Sequence, residues 1–110
     1  MSGTEPLPRP HIVHLAATSY ADGRRVGVSI EVGDATAPCN LDVEIRALDG
    51  RALGAMFVVE SREPHIELTI HYRGGLPASE EELRVHATLL VGDVEMDSAS
   101  AAYTDRGASV

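Results

Sequence analysis

The strongest constraint on this chain is the alternation of apolar and polar residues along most of its length. In the run Leu83-Arg84-Val85-His86-Ala87-Thr88-Leu89 every second side chain is apolar, and similar runs recur through the 110 residues. A period of two places successive side chains on opposite faces of a β-strand, so that one face is buried and the other meets water. The sequence therefore predicts an all-β chain, and it disfavours a parallel α/β arrangement.

Turn residues divide the alternating runs into seven expected strands. Asp49-Gly50 is the strongest hairpin signal, because an Asp-Gly pair suits a two-residue turn in which both central residues have positive φ. The longest connection, residues 73–82, contains Pro77 and three successive glutamates, and we expect it to hold at most one helical turn. The expected strands cover residues 11–17, 24–32, 41–47, 51–59, 66–72, 83–91 and 94–103.

Seven short strands joined by hairpins and one long connection predict a seven-stranded antiparallel immunoglobulin-like sandwich of the fibronectin-like kind. We expect one domain over residues 11–104, preceded by a disordered Pro-rich leader (1–10) and followed by a frayed tail (105–110). With one Phe, three Tyr and no Trp, the core must consist of Val, Leu, Ile and Ala. The scarcity of aromatic residues also disfavours a deep ligand pocket.

The alternation predicts which side chains face the core. Acidic residues such as Asp42 and Glu44 fall at outward positions, and no strand acid is expected to face inward. In the seventh strand the expected inward residues are small, which suits a sheet edge that another chain approaches. The inward sets are Val26, Val28, Ile30 and Val32; Leu41, Val43, Ile45 and Ala47; and Ser98, Ser100 and Ala102.

The charge balance limits the classes of partner. The formal net charge is −8, and all nine basic residues are arginines. Such an acidic surface repels phosphate groups, so neither nucleic acid nor an anionic membrane is an expected partner. No apolar run is long enough to cross a bilayer, and the first residues lack a secretory signal. We therefore expect a cytoplasmic protein, or a periplasmic or secreted one if a leader has been trimmed.

Histidines are the only candidate metal ligands, and the candidates are His11, His14, His71 and His86. His11 and His14 are three residues apart, which on a regular strand places them on opposite faces. His71 and His86 are expected on the outer faces of strands in different sheets. Because a structural zinc site needs four convergent ligands, the sequence favours exposed cross-strand histidines, and we predict no metal and no cofactor.

No other residues form a catalytic motif. Cys39 is the only cysteine, so an intrachain disulfide is excluded, and its neighbours supply neither a base nor a positive charge to activate it. We therefore expect an unreactive thiol at the edge of a loop. No carboxylate is placed where burial would raise its pKa for acid catalysis. The glycine pairs lack the strand-to-helix context of a phosphate-binding loop.

The second half of the chain resembles a known pattern. The segments PHIELTIHY (64–72), LRVHA (83–87) and VGDVEMDS (91–98), followed by Ala102-Tyr103, look like the YbaY/YscW-type bacterial lipoprotein family. Residues 41–53 fall where that family has its V-x-L-x-D strand and hairpin. The resemblance implies a β-sandwich that is non-catalytic and serves as an accessory or chaperone-like subunit. It transfers no functional residues, because the shared positions are core positions.

These observations favour a non-enzymatic β-sandwich that acts as a protein-interaction or accessory module. Its expected partner is another protein or a second copy of the chain, bound through an edge strand. The alternative is a small-ligand or metal-binding domain that uses the surface histidines. Fold alone does not decide between them.

Overall fold

Seven strands are present at the positions that the alternation predicts. The computed structural model describes residues 9–19, 25–47, 50–72 and 83–105. The expected helical turn within 73–82 and the ends of the chain at 1–8 and 106–110 lie outside these residues. The strands are β1 (His11–Ser19), β2 (Arg25–Gly33), β3 (Cys39–Ala47), β4 (Ala52–Ser61), β5 (His65–His71), β6 (Leu83–Val91) and β7 (Val94–Asp105).

The strands form two facing sheets, which confirms the predicted immunoglobulin-like sandwich. One sheet has the order β1-β2-β5, and the other has the order β4-β3-β6-β7. Neighbouring strands within each sheet are antiparallel. A short parallel ladder between Ala17–Ser19 of β1 and Tyr103–Asp105 of β7 joins the two sheets, a feature that the purely antiparallel prediction did not include.

The core lies between the two sheets and consists of aliphatic side chains. The inward sets predicted for β2 and β3 are buried, as are the alternate residues of β6. Among the described residues no polar or charged side chain is buried. Pro10, which we expected in a disordered leader, is also buried just before β1. The largest fully buried side chains are Ile30, Leu41, Ile45, Ile70, Leu89, Val26, Val28, Val43 and Val85.

The predicted inward face of β7 is wrong. Ser98, Ser100 and Ala102 are exposed, and Ala101 instead packs against the core. The cause is a bulge at Met96, because Leu90 lies opposite Glu95 whereas Leu89 lies opposite Asp97. One extra residue in a strand reverses the faces of all residues that follow it.

Two further observations concern the turn at Gly50 and the helix content of the described residues. Gly50 has a φ of 93°, which agrees with the positive φ expected in the Asp49-Gly50 turn, although Asp49 itself lies outside the described residues. In the described ranges, no helix has the length and apolar character needed to cross a membrane.

Candidate interaction edge

Among the described strands, β4 and β5 lie at the edges of the sandwich, and their surfaces differ in chemistry. The exposed side chains of β5 are His65, Glu67 and His71, so this edge is polar and charged. On β4, Met56, Phe57 and Val59 are 37%, 54% and 64% exposed. We call these three side chains the apolar edge patch. Charged edges protect a sheet from pairing with other chains, whereas apolar edges invite it.

Pairing with β3 determines where the patch points. Val43 lies opposite Met56, and Leu41 lies opposite Val58, so these β4 residues share the inward face. Phe57 lies opposite Asp42 on the outer face, where none of the described strands covers it. It is the only phenylalanine of the chain. A large aromatic side chain that is half exposed at an edge leaves apolar surface in water, which makes this edge a candidate contact surface.

Two bulges limit the regular part of this edge. One lies at Leu53, because Ile45 is opposite Gly54 whereas Arg46 is opposite Ala52. The other lies between Val58 and Ser61, where Glu60 has a φ of 50°. Between the two bulges, Gly54–Val58 pairs with β3 without a register shift. This five-residue segment has the regular backbone that strand addition requires.

Asn40 fixes the end of the edge to the β6–β7 turn. Its Oδ1 accepts a hydrogen bond of 2.8 Å from the Glu60 backbone N–H, and its Nδ2 donates one of 3.1 Å to the Gly92 carbonyl. These bonds flank an open depression of about 400 Å³. The depression is lined mainly by Ala37, Pro38, Val59 and Val91. The apolar edge patch therefore continues into a shallow apolar surface at this end of the sandwich.

The opposite end of β4 lies against β5, the edge strand of the other sheet. Gly54 is buried, and a Cβ at this position would lie 2.8 Å from the His71 carbonyl oxygen and 3.0 Å from Ile70 Cγ2. Only a residue without a side chain permits this approach. The close contact holds the β4 backbone in place directly beside the apolar edge patch.

The candidate metal ligands do not gather into one site. His71 and His86 lie in different sheets, as predicted. His11 and His14 were expected on opposite faces, but a bulge at Val13 places both on the outer face, opposite Gly33 and Glu31. The His11 ring contacts the Arg9 carbonyl and Asp34, whereas the His86 ring contacts Ser100 Oγ at 2.9 Å.

His65, which the sequence did not single out, has more polar contacts than His11 or His86 in the described part of the chain. Its Nε2 lies 3.1 Å from a Glu67 carboxylate oxygen and 3.4 Å from Ser29 Oγ, and its Nδ1 lies 4.0 Å from Glu31. Cross-strand register creates this cluster, since Glu31 lies directly opposite His65. No local motif could have revealed it. The side chains of His65 and Glu31 are about half exposed, and that of Glu67 is 76% exposed. Among the described residues no three His, Cys, Asp or Glu side chains could hold a metal ion.

The positions of Cys39 and Asp97 differ from those predicted from the sequence. Cys39 is not at a loop edge but is the first inward residue of β3, with 2% exposure. Burial raises the pKa of its thiol, which donates a weak hydrogen bond to the Ala37 carbonyl at 3.4 Å. The bulge at Met96 moves Asp97 to an inward position opposite Leu89, contrary to the expectation that no strand acid faces inward.

The fold is found in solved structures of glycosidases. A β-glucuronidase from Bifidobacterium dentium matches with a TM-score of 0.67 and 13% identity over 88% of this chain and 17% of that chain. A glycosyl hydrolase family 2 member from Bacteroides cellulosilyticus matches with a TM-score of 0.62 and 14% identity, over 84% and 14% of the two chains. A β-glucuronidase from Ruminococcus gnavus matches with a TM-score of 0.58 and 11% identity, over 86% and 16%.

These likenesses establish the fold alone. The chain corresponds to a small part of each glycosidase, a β-sandwich segment within a far longer polypeptide. No family model and no curated protein matches the sequence. The resemblance to the YbaY/YscW-type family therefore stays a prediction beyond the shared β-sandwich character.

Proposed function

We propose that the chain is a non-catalytic accessory β-sandwich domain that binds a protein strand along the β4 edge. The observation that carries the proposal is the exposure of the apolar edge patch on a strand that pairs on only one side within the described part of the chain. An edge strand presents backbone N–H and C=O groups that an extended segment can pair with. Phe57 and Val59 would then pack against alternate side chains of that segment.

The absence of a preorganised polar site in the described residues supports a non-catalytic role. Acid–base and nucleophilic catalysis need groups whose pKa values are shifted by burial or by close charges. Burial raises the pKa of the Cys39 thiol, which makes it less nucleophilic at neutral pH. The likeness to a segment within longer glycosidase chains supports an accessory role as well.

Strand addition can be tested with peptides of random sequence. The immobilised chain, at a surface density that keeps copies apart, would be used to select binders from a phage-displayed peptide library. We expect extended peptides that slow hydrogen exchange of β4 amides and whose binding drops at least tenfold in Phe57→Lys. Val13→Lys is the matched control, since Val13 is 56% exposed but lies on β1. Peptides that bind equally to both variants would contradict the proposal.

Whether the chain catalyses glycoside hydrolysis needs a separate assay. The purified chain would be incubated with p-nitrophenyl β-glucuronide and p-nitrophenyl β-galactoside, and release of nitrophenol would be followed. We expect no release above the rate without protein. Turnover that follows the chain through two unrelated purification steps would show that the domain is an enzyme.

A further inference from the structure

Building on the proposed function, we infer that the segment bound along the β4 edge carries an arginine, whose guanidinium stacks on the Phe57 ring and pairs with the Asp42 carboxylate. The partner is an extended basic segment of another protein. The inference rests on the outer face around Phe57, within the stretch Gly54–Val58 that pairs with β3 without a register shift.

The fold leaves the Asp42 carboxylate without a partner. Asp42 lies directly opposite Phe57, and such side chains have Cβ atoms about 4.5–5.5 Å apart. Asp42 is partly buried, yet among the described residues none donates a hydrogen bond to its carboxylate or forms an ion pair with it. Glu44 differs, because Arg46 Nε donates a hydrogen bond of 2.7 Å to its carboxylate. On β6, Asp42 faces the uncharged Thr88.

This carboxylate restricts what can cover the edge. A segment that packs on Phe57 also removes water from the neighbouring Asp42 carboxylate. Loss of hydration around an ionised group is strongly unfavourable unless a charge of opposite sign and its hydrogen bonds replace the water. A purely apolar segment would therefore gain contact with Phe57 and lose the hydration of Asp42. A segment with a cation at this point satisfies both side chains.

The spacing of strands favours arginine as the cation. Neighbouring strands lie about 4.8 Å apart, so a bound residue beside Phe57 is about 10 Å from the Asp42 backbone. Its side chain must extend across the Phe57 ring to reach the carboxylate. Arginine is long, and its planar guanidinium stacks on aromatic rings and forms paired hydrogen bonds with carboxylates. The ammonium group of lysine is a point charge and lacks this planar geometry.

The charge of the chain favours a basic partner over a second copy. A net charge of −8 attracts basic segments and repels another copy of the chain. The edge strands of the described sheets, β4 and β5, contain neither arginine nor lysine. Paired with the β4 edge of another copy, neither would supply a guanidinium to Asp42.

Peptides selected on the immobilised chain are the probes for the arginine. We expect the peptides whose binding depends on Phe57 to share an arginine at one fixed position. Each would be synthesised with arginine and with citrulline, which has nearly the same shape but no charge. Isothermal titration calorimetry should show that the citrulline peptides bind at least tenfold more weakly.

A double-mutant cycle assigns this arginine to Asp42. Asp42→Asn should weaken binding of the arginine peptide about tenfold, whereas the citrulline peptide should bind both chains within about twofold. Glu67→Gln is the matched control, because it removes the same charge from an exposed acid of β5. In about 150 mM NaCl it should change the affinity less than twofold. Thermal unfolding of each variant would establish that it is folded.

The outcomes separate this inference from the proposed function. Peptides that depend on Phe57 but bind equally well with citrulline would overturn the arginine and leave strand addition intact. Equal losses from Asp42→Asn and Glu67→Gln would mean that the arginine responds to the overall charge, which would overturn its pairing with Asp42. If no selected peptide depends on Phe57, both the inference and the proposed function are wrong. A dimer in sedimentation equilibrium that Phe57→Lys weakens would show that the edge takes a second copy, and the inference would again fail.

Discussion

At the scale of the residue, Asp97 shows how one carboxylate links the two sheets. Its Oδ2 accepts a hydrogen bond of 2.8 Å from the backbone N–H of Ile12, and its Oδ1 accepts one of 2.9 Å from that of Ser98. Ile12 belongs to β1, whose ladder with β7 begins only at Ala17. The side chain of Asp97 thus bonds β7 to β1 several residues before their backbones pair.

Removing this link should destabilise the fold. Asp97→Ala leaves the Ile12 N–H without its partner, and hydrogen bonds to charged groups contribute about 1.5–3 kcal/mol each. We expect the free energy of unfolding to fall by about 2 kcal/mol in urea titrations. Glu95→Ala is the control, because Glu95 is an exposed acid of the same strand. It should change stability by less than about 0.5 kcal/mol. Equal effects of the two substitutions would contradict a linking role for Asp97.

Because the Cys39 thiol is buried, the free energy of unfolding should depend on pH in the alkaline range. The pKa of the buried thiol is raised above its ordinary value of 9.0, so the unfolded chain ionises first as pH rises. Its contribution to stability is complete below that value and is lost as pH rises above it. The stability difference between the original chain and Cys39→Ala should be constant from pH 6 to 8 and shrink by pH 10. If the stability difference between the two chains stays constant or grows up to pH 10, the thiol ionises at least as readily in the folded chain as in the unfolded chain, which would contradict this prediction.

At the scale of the element, contacts at both ends fix the position of β4. Bulges lie at both ends of its regular segment, and at Gly54 its backbone approaches the His71 carbonyl of β5. Asn40 holds the far end through the Glu60 N–H. Because the strand is fixed at both ends, the apolar edge patch is held in a preformed, extended geometry. Preorganisation of this kind reduces the entropy lost on binding.

Gly54→Ala tests the close approach. Alanine normally stabilises a strand relative to glycine, but here its Cβ would lie 2.8 Å from a backbone oxygen. Backbone cannot move aside as a side chain can, so we expect a loss of about 1–3 kcal/mol in the free energy of unfolding. Gly33→Ala is the matched control, since its Cβ would meet only side-chain atoms of Val13 and His11. A loss from Gly54→Ala no larger than that from the control would contradict the account.

The bulges also explain which parts of the elements could be predicted from the sequence. Alternation located the strands, and it gave the inward faces of β2, β3 and β6 because these strands run without an interruption of the pattern. In β7 and β1 an extra residue at Met96 or Val13 reverses the faces. A bulge depends on the partner strand and leaves no mark in local composition. The sequence therefore misplaced Ser98, Asp97 and His14.

At the scale of the whole molecule, the order of the strands decides which surface is available. Alternation predicts that two sheets pack together, since each strand has one apolar face. It does not predict which strands are neighbours, because pairing joins residues that are distant in the chain. The small residues of β7 therefore predict an edge there, whereas β7 lies between β6 and β1 and the edges of the described sheets are β4 and β5. Phe57 is recognisable as a candidate interaction residue only because β4 lies at an edge of the described sheet.

The charge of the whole molecule leads to a last prediction. Seventeen acidic and nine basic residues leave a net charge of −8, and folding brings the excess carboxylates closer together. Salt screens this repulsion, since the Debye length falls from about 30 Å at 0.01 M to below 10 Å above 0.15 M. At pH 7 and micromolar concentration, Tm should therefore rise by about 5 °C between 20 and 500 mM NaCl, which corresponds to about 1 kcal/mol. At pH 4.9, the isoelectric point, the same increase in salt should change Tm little. Equal shifts at the two pH values would mean that salt acts on apolar hydration and not on charge.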